Sequence, residues 1–455
     1  MDIILTTKQN NVKEKILKHL KEVKRGDVFG ENSFISLIGA AGTGKTTLTK
    51  FLVKELLDNN WRICITGPTH MSVKVIRNII GINHENLKFA SIHSFLGLKP
   101  GPIDLKTGER KFKKSSNKYL SEISKEHFDI VINDESSMIS QEMFNFLKDE
   151  MYNVCRIESV LLIGDEMQLS PVEDNKLEQN PKHAIYDNDK INHYKLTELI
   201  RNPDMEVVNF VTSIRKMIEN KNTKLDLFTF LVNERDNKNH KKVKFYKTKK
   251  EFIKEFIKED RLGNDNDIIG TFTNDKVQEY NEKIRNYYTK DEDGVVPEIH
   301  PMDLFVVLES TQNNLNFGQD GFVNSEILSL KQSTFEDFNF KGRIFKGYKC
   351  ITEDNRKFNK LANESKELYE RSLELLKANA VNTKNKKDWD LYYTLLNLFL
   401  KVRPHYAETL HRLQGSSYRD VYVDLGNLVY INSDELLRLF YVGCTRAKRN
   451  VHLVL

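Results

Sequence analysis

Cysteine is scarce: Cys64, Cys155, Cys350 and Cys444 are the four in 455 residues. Scattered without paired spacing, they exclude a disulfide framework and a cysteine-rich zinc site, and they suit a reducing compartment. Long apolar runs are missing too; none approaches the ~20 residues that a membrane-spanning helix needs. Met1-Asp2-Ile3-Ile4-Leu5-Thr6 holds no basic segment followed by an apolar core of signal-peptide length. A cytoplasmic protein is the expectation. Charge is nearly balanced, 70 Lys and Arg against 65 Asp and Glu, for a net +5. That permits a local basic groove for nucleic acid without demanding one. There are no internal repeats and no long disordered tract. What remains is a soluble globular composition, 39% hydrophobic and 30% charged. Its length exceeds one ordinary core, so about two to four domains are expected.

What is present is first a loop. Gly39-Ala40-Ala41-Gly42-Thr43-Gly44-Lys45-Thr46 completes G-x-x-x-x-G-K-[ST]. The apolar run Phe34-Ile35-Ser36-Leu37-Ile38 precedes it, and an amphipathic stretch opening at Thr47-Leu48 follows, the strand–loop–helix setting of a phosphate-binding loop. The glycines let backbone N–H groups converge on phosphate oxygens, and the helix N-terminus adds partial positive charge. Lys45 then reaches the β- and γ-phosphates, and the Thr46 hydroxyl holds Mg²⁺.

Apolar strands recur at 34–38, 61–66, 128–133 and 159–163, with helical patterns between them. Alternating β and α argues a parallel, helix-covered sheet whose ligand lies beyond the carboxyl ends of the strands. A second α/β set starts near Asn202, with strands at Asp267–Phe272, Val421–Leu425 and Asn450–Leu455, and no second phosphate loop. Residues 300–350 read as short strands with turns. Residues 354–402 read as an antiparallel helical hairpin, with Leu361, Leu368 and Leu375 on one stripe and Trp389, Tyr392, Leu396 and Phe399 on the other. Between Leu98 and Ser121, residues 103–112 read as a β-hairpin turning at Thr107-Gly108.

Asp134-Glu135 ends the strand Ile130–Asn133, where one carboxylate holds Mg²⁺ and the next aligns the attacking water. Gln168, in Gly164-Asp165-Glu166-Met167-Gln168, either senses the γ-phosphate or the lytic water, or is a loop amide satisfied by backbone. Arg201 and Arg446 are candidate arginine fingers, worth ~10³–10⁵ in rate when placed on the γ-oxygens. Gln9 either closes a capping box with Thr6 or reads an adenine edge.

Taken in order, Gln9, the phosphate loop, Pro68-Thr69-His70, Ser91-Ile92-His93-Ser94, Asp134-Glu135, 164–168, Leu199-Ile200-Arg201-Asn202, Thr271-Phe272-Thr273-Asn274, Thr409-Leu410-His411-Arg412-Leu413-Gln414-Gly415-Ser416 and Tyr441-Val442-Gly443-Cys444-Thr445-Arg446 resemble the motifs of superfamily 1 helicases, most closely the RecD-like branch. The resemblance implies two RecA-like domains with ATP in the cleft. The first is 1–200 with a strand-separating pin at about 97–120. The second is 201–295 and 403–455. An SH3-like domain with a helical tower (354–402) is inserted at 296–402. It implies that Lys45, Thr46, Asp134, Glu135, Gln168, Arg201 and Arg446 handle ATP and Mg²⁺. Gln9, residues 39–47 (Gly39, Ala40, Ala41, Gly42, Thr43, Gly44, Lys45, Thr46 and Thr47) and Gly415 then bind the nucleotide. Pro68, Thr69, His70, His93, Thr273, Asn274, Thr409 and His411 line a single-strand track, and Gln414 and Gly415 couple it to the nucleotide. It also implies 5′-to-3′ movement. Phe112 on the pin either wedges against a duplex fork or packs the hairpin down. His93 and His411 either touch the strand or serve structure. Ser91 stands where relatives often carry Thr, and the tower matches no motif.

The expected function is thus an ATP-dependent DNA helicase acting as a monomer on single strands and forks, beside single-strand-binding, replication or recombination proteins, with no membrane. The rivals are an RNA helicase, a translocase that displaces bound proteins, and a nucleotide-gated DNA-binding protein. A P-loop kinase needs no second motif set, and no carboxylate cluster beyond Asp134-Glu135 supports a nuclease.

Overall fold

The structure, a computed structural model, describes all residues except 1–3, 101–111, 115–122, 124, 170–184, 199–204, 238–239, 259–263, 291–295, 302, 310–320, 323 and 427–430; at 70, 71, 99, 100, 112, 113 and 205 it describes the backbone alone. Two compact units form. Unit 1 is Met1–Lys99, Lys114–Phe245 and Leu413–Leu453; unit 2 is Pro100–Lys113, Tyr246–Arg412 and Val454–Leu455.

The chain begins with α1 (Thr7–Arg25), β1 (Phe34–Gly39), α2 (Lys45–Asp58), β2 (Ile63–Gly67), α3 (His70–Ile80), β3 (Leu87–Ser91) and α4 (Ile92–Phe95). A two-stranded ribbon, β4 (Leu98–Pro100) and β5 (Phe112–Lys114), interrupts it. Then come β6 (Phe128–Asn133), α5 (Gln141–Tyr152), β7 (Ile157–Gly164), β8 (Asn192–Leu196), α6 (Met205–Glu219), α7 (Lys224–Asp236) and β9 (Val243–Tyr246). The main sheet runs β3-β2-β6-β7-β1-β8, every pairing parallel. Its central strands β1, β2 and β6 are buried on both faces. Ile35, Leu37, Leu161 and Ile163 pack with Leu20, Leu48 and Leu52 of α1 and α2. Phe34, Val160 and Leu162 pack the other way, onto Phe144 and Leu147 of α5.

Unit 2 contains α8 (Lys249–Phe256), β10 (Asp267–Thr271), α9 (Asn274–Thr289), β11 (Leu304–Val307), β12 (Ile327–Phe340), β13 (Arg343–Thr352), β14 (Lys357–Leu361), α10 (Lys366–Thr383), α11 (Lys386–Leu396), β15 (Val402–Pro404) and β16 (Ala407–Thr409). β10 and β16 pair in parallel, Thr271 opposite Thr409. Asn281 of α9 pins β16: its Oδ1 accepts from the N–H groups of Tyr406 (2.7 Å) and Ala407 (2.9 Å), and its Nδ2 donates to the Ala407 carbonyl (3.1 Å). β17 (Tyr418–Asp424), α12 (Ser433–Thr445) and β18 (Ala447–Val454) complete the chain; β17, β18 and β9 lie side by side.

Two expectations for 300–402 change. The short strands are a long hairpin of 14 and 10 residues, turning at Lys341 (φ 51°) and Gly342 (φ 83°), in a five-stranded antiparallel sheet β14-β13-β12-β11-β15. Gly347 makes room for it, since a Cβ there would lie 2.9 Å from the Phe399 ring. The helical pair starts later than the leucine spacing predicts. Leu361 belongs to β14, while Leu368 and Leu375 are 45% and 53% exposed. The seam is Tyr369, Leu373 and Leu376 against Leu395 and Phe399. Tertiary packing of β13 against α10 decides which of two adjacent stripes turns inward.

Candidate nucleotide and nucleic-acid site

The phosphate loop joins β1 to α2. Gly42 (φ 85°) and Gly44 (φ 81°) adopt the left-handed backbone that side chains disfavour. A Cβ on Gly39 would stand 2.6 Å from Thr43 Oγ1. Lys45 Nζ donates to the carbonyls of Gly39 (2.6 Å) and Ala40 (3.1 Å). Burial lowers its pKa, opposed by the charges of Asp165, Glu135 and Asp134 and reinforced by Arg446, so five charged groups share one locality. Thr46 and Thr47 continue the first turn of α2.

Asp134 and Glu135 end β6 one strand from β7. Glu135 holds φ 54° without being glycine, strain of the kind that clusters at working sites. Burial, then the neighbouring Glu135 charge, pushes Asp134 up to about 7. The Lys45 charge opposes both effects.

Gln168 is buried and its Oε1 accepts from Gln414 Nε2 (3.3 Å). Gly415 (φ 79°) follows, and a Cβ on it would come within 3.9 Å of Glu135 Oε1. Arg446 caps α12, donating to the carbonyls of Val442 (3.2 Å) and Ser416 (3.3 Å) and to Thr445 Oγ1 (3.0 Å).

Gln9 does close the capping box: its Oε1 accepts from the Thr6 N–H (3.0 Å). Its Nε2 donates to the Thr43 carbonyl (3.2 Å), tying α1 to the phosphate loop. Both ends of the amide are engaged. Gln9, Asn11, Val12, Thr43, Leu196 and Thr197 border a cavity of about 190 Å³.

A second cavity of about 170 Å³ gathers Pro68, Thr69, Ile92, His93 and Asn133. Thr69 caps α3, accepting from the Ser72 N–H (3.1 Å), and Ser91 caps α4, accepting from the Ser94 N–H (3.2 Å). Asn133 links this wall to the carboxylates: Thr66 Oγ1 donates to its Oδ1 (2.9 Å), and its Nδ2 donates to the Asp134 carbonyl (3.1 Å). The side chains of His70 and Phe112, and the whole of Arg201, lie outside what is described.

Thr273, Asn274, Thr409 and His411 fall in unit 2, at the carboxyl ends of β10 and β16. The Phe272 and His411 rings lie 5.7 Å apart. Burial lowers the His411 pKa, which favours the neutral ring. Thr273 caps α9, and Arg403 Nη1 donates to Asn274 Oδ1 (3.3 Å). Arg403 also pairs with Glu408, and Arg412 Nη2 donates to the Leu308 carbonyl (3.4 Å).

Sequence reading missed a buried knot. Asp165, fully buried, accepts from Arg215 Nη1 (2.6 Å), from Tyr441 Oη (2.8 Å) and from the Met167 N–H (3.1 Å). Arg438 donates to the carbonyls of Glu166 (2.9 Å) and Gln168 (3.2 Å). Burial lowers the Arg215 pKa, but the charges and hydrogen bonds of Asp165 and Tyr441 together outweigh it and raise it; burial and then Asp165 raise that of Tyr441. Asp165 and Tyr441 stood inside recognised motifs. Arg215 gave no signal beyond flanking the buried stripe Val207, Phe210, Ile214 and Ile218.

Residues 27–227 match the AAA domain family and residues 404–454 the UvrD-like helicase C-terminal domain. The ATP-dependent DNA helicase Dda of Enterobacteria phage T4 is 25% identical over 99% of this chain and 99% of its own. A protein of uncharacterised function from Acanthamoeba polyphaga mimivirus is 27% identical over 98% and 99%. The ATP-dependent DNA helicase Pif1 of Campylobacter jejuni is 29% identical over 41% of each chain. A structure of two coordinating Pif1 helicases at forked duplex DNA covers 99% of this chain and 92% of its own, with 14% identity and TM-score 0.53. Bacteroides Pif1 bound to single-stranded DNA gives 99%, 92%, 15% and 0.51. The structural likeness is one of fold.

Proposed function

We infer that this chain, a superfamily 1 helicase of the group that holds Dda and Pif1, is an ATP-dependent DNA helicase that tracks along single-stranded DNA and unwinds duplexes. The observation that carries the reading is the meeting, in one unit, of Lys45, two strand-end carboxylates, Gln168 and Arg446. Full-length similarity to a DNA helicase supports it. Movement 5′-to-3′ rests on the family resemblance alone.

Lys45 and the loop N–H groups hold the β- and γ-phosphates, and the cavity beside Gln9 takes the base. Thr46 and Asp134 would hold Mg²⁺: a hydroxyl and a carboxylate suit a hard cation, and the ion would offset the burial and the Glu135 charge that raise Asp134. Bound there, it neutralises charge on the phosphate oxygens. Glu135 orients the lytic water, Gln168 senses the γ-phosphate, and Arg446 with Arg201 stabilises the equatorial oxygens. The strand runs over Pro68, Thr69, His70 and His93, then Thr273, Asn274, Thr409 and His411. The Gln414–Gln168 bond reports strand occupancy to the nucleotide. Alternate gripping by the two RecA-like domains moves the chain along. The division expected above, with the pin and SH3-like insertions, belongs to this proposal.

Steady-state ATPase with and without single-stranded DNA tests it. We expect strong stimulation by DNA, little by RNA, and none in Lys45→Ala. A rate indifferent to DNA would sink the motor and favour a nucleotide-gated binding protein.

A further inference from the structure

A pair of buried hydroxyls backs the turn that carries Glu135. β6 and β7 run in parallel with Asn133 opposite Leu162, and two residues further along each chain stand Glu135 and Gly164. Glu135, at φ 54°, leads into a 3₁₀ turn, Ser136–Met138, in which the Met138 N–H donates to the Glu135 carbonyl (3.0 Å). Ser136 is fully buried. Its Oγ shares a hydrogen bond of 3.0 Å with the hydroxyl of Tyr186, from the segment between β7 and β8. The Tyr186 ring packs on the apolar cluster that holds Phe34, Val160 and Leu162.

Gly164 leaves the space that this pair fills. A Cβ there would lie 2.0 Å from Tyr186 Oη and 2.7 Å from Ser136 Oγ. Any side chain at 164 would push the two hydroxyls from their places. The phenol keeps its proton: burial pushes its pKa up, Ser136 opposes this, and the charges of Asp165, Glu135 and Glu166 push it further. The Glu135 charge is thus felt at the Tyr186 hydroxyl. A left-handed backbone at a residue other than glycine persists only where its surroundings over-determine it. Here the 3₁₀ turn is one restraint and the Ser136–Tyr186 bond is another.

We propose that Tyr186 and Ser136 are positioning residues for ATP hydrolysis, their shared hydrogen bond holding the strained turn that aims the Glu135 carboxylate at the attacking water. Tyr186 lies outside every motif of the sequence, and Ser136 directly follows the pair Asp134-Glu135. Both act through Glu135. This rests on the reading of Glu135 as the residue that orients that water.

Tyr186→Phe keeps the ring and its packing and removes one oxygen. The experiment compares Tyr186→Phe, Ser136→Ala, the double variant and Glu135→Gln in the full chain, measuring kcat and KM for ATP with saturating single-stranded DNA, and the thermal midpoint. Misplacing a catalytic group by about an ångström costs up to ~10²-fold, so each of Tyr186→Phe and Ser136→Ala should lower kcat about tenfold and leave KM for ATP within about twofold. The double variant should turn over no more slowly than either single, because one interaction is lost in all three. Relative to Tyr186→Phe it should regain part of the thermal midpoint, since no buried Ser136 hydroxyl is left stranded, while kcat stays low. If Glu135→Gln abolishes hydrolysis and Tyr186→Phe leaves kcat unchanged, the positioning role is refuted and the reading of Glu135 stands. If Glu135→Gln hydrolyses ATP as fast as wild type, the reading of Glu135 falls and takes the positioning role with it. If kcat and KM worsen together, or if kcat recovers with the thermal midpoint in the double variant, the pair is merely structural and the proposal is overturned.

Discussion

Arg446→Ala is expected to slow ATP hydrolysis by about 10³-fold or more while leaving nucleotide affinity within a few-fold. The guanidinium ends α12, fixed by Val442, Ser416 and Thr445, and its charge reaches Lys45. A cation held there has little to gain from the ground state and much from the charge that spreads over the γ-oxygens as the bond breaks. Arg446→Lys should not rescue, because an ammonium lacks the planar fork that these contacts hold. Single-turnover hydrolysis beside fluorescent-nucleotide titration separates the two effects. A loss under about tenfold would assign Arg446 to capping α12 and nothing more. Lys45→Ala differs in kind: it should weaken binding as well as turnover, since the ammonium meets the phosphates before and during reaction.

The second large effect is on stability. Arg215→Ala leaves the Asp165 carboxylate buried with Tyr441 and one backbone N–H as its remaining partners. Stripping one partner from a buried pair costs about 3–5 kcal/mol. We expect the first thermal transition to fall by roughly 5–10 °C. Tyr441→Phe removes a single hydrogen bond and should cost about 1–3 kcal/mol. Combining Arg215→Ala with Asp165→Asn should cost less than the sum of the two, because the second change removes the charge that the first stranded. Additive losses would mean that the two side chains act independently, against the 2.6 Å contact.

The phosphate loop was legible because its chemistry is local. Six residues of backbone conformation, two of them left-handed glycines, make the cradle, and eight consecutive letters encode it. Asp134-Glu135 was legible because a strand end in a parallel sheet has one place to point. The capping box at Thr6 and Gln9 was legible because its partners stand three residues apart; the further bond from Gln9 to Thr43 was not, since it spans 34 positions.

Arg215 shows the other limit. Nothing near it in sequence marks a functional arginine, and its partners stand 50 and 226 positions away. The leucine stripe at 361, 368 and 375 shows the same limit from the opposite side, for periodicity was present and the wrong face was chosen. Sequence by itself determined the local devices, namely the loop, the caps, the strand-end carboxylates and the order of motifs, because each depends on a few adjacent residues and on backbone geometry. Only the tertiary structure decided which helix face is buried, which charges meet, and that Asp165 is the centre of a buried cluster, because burial and ion pairing depend on what distant segments bring to the same place.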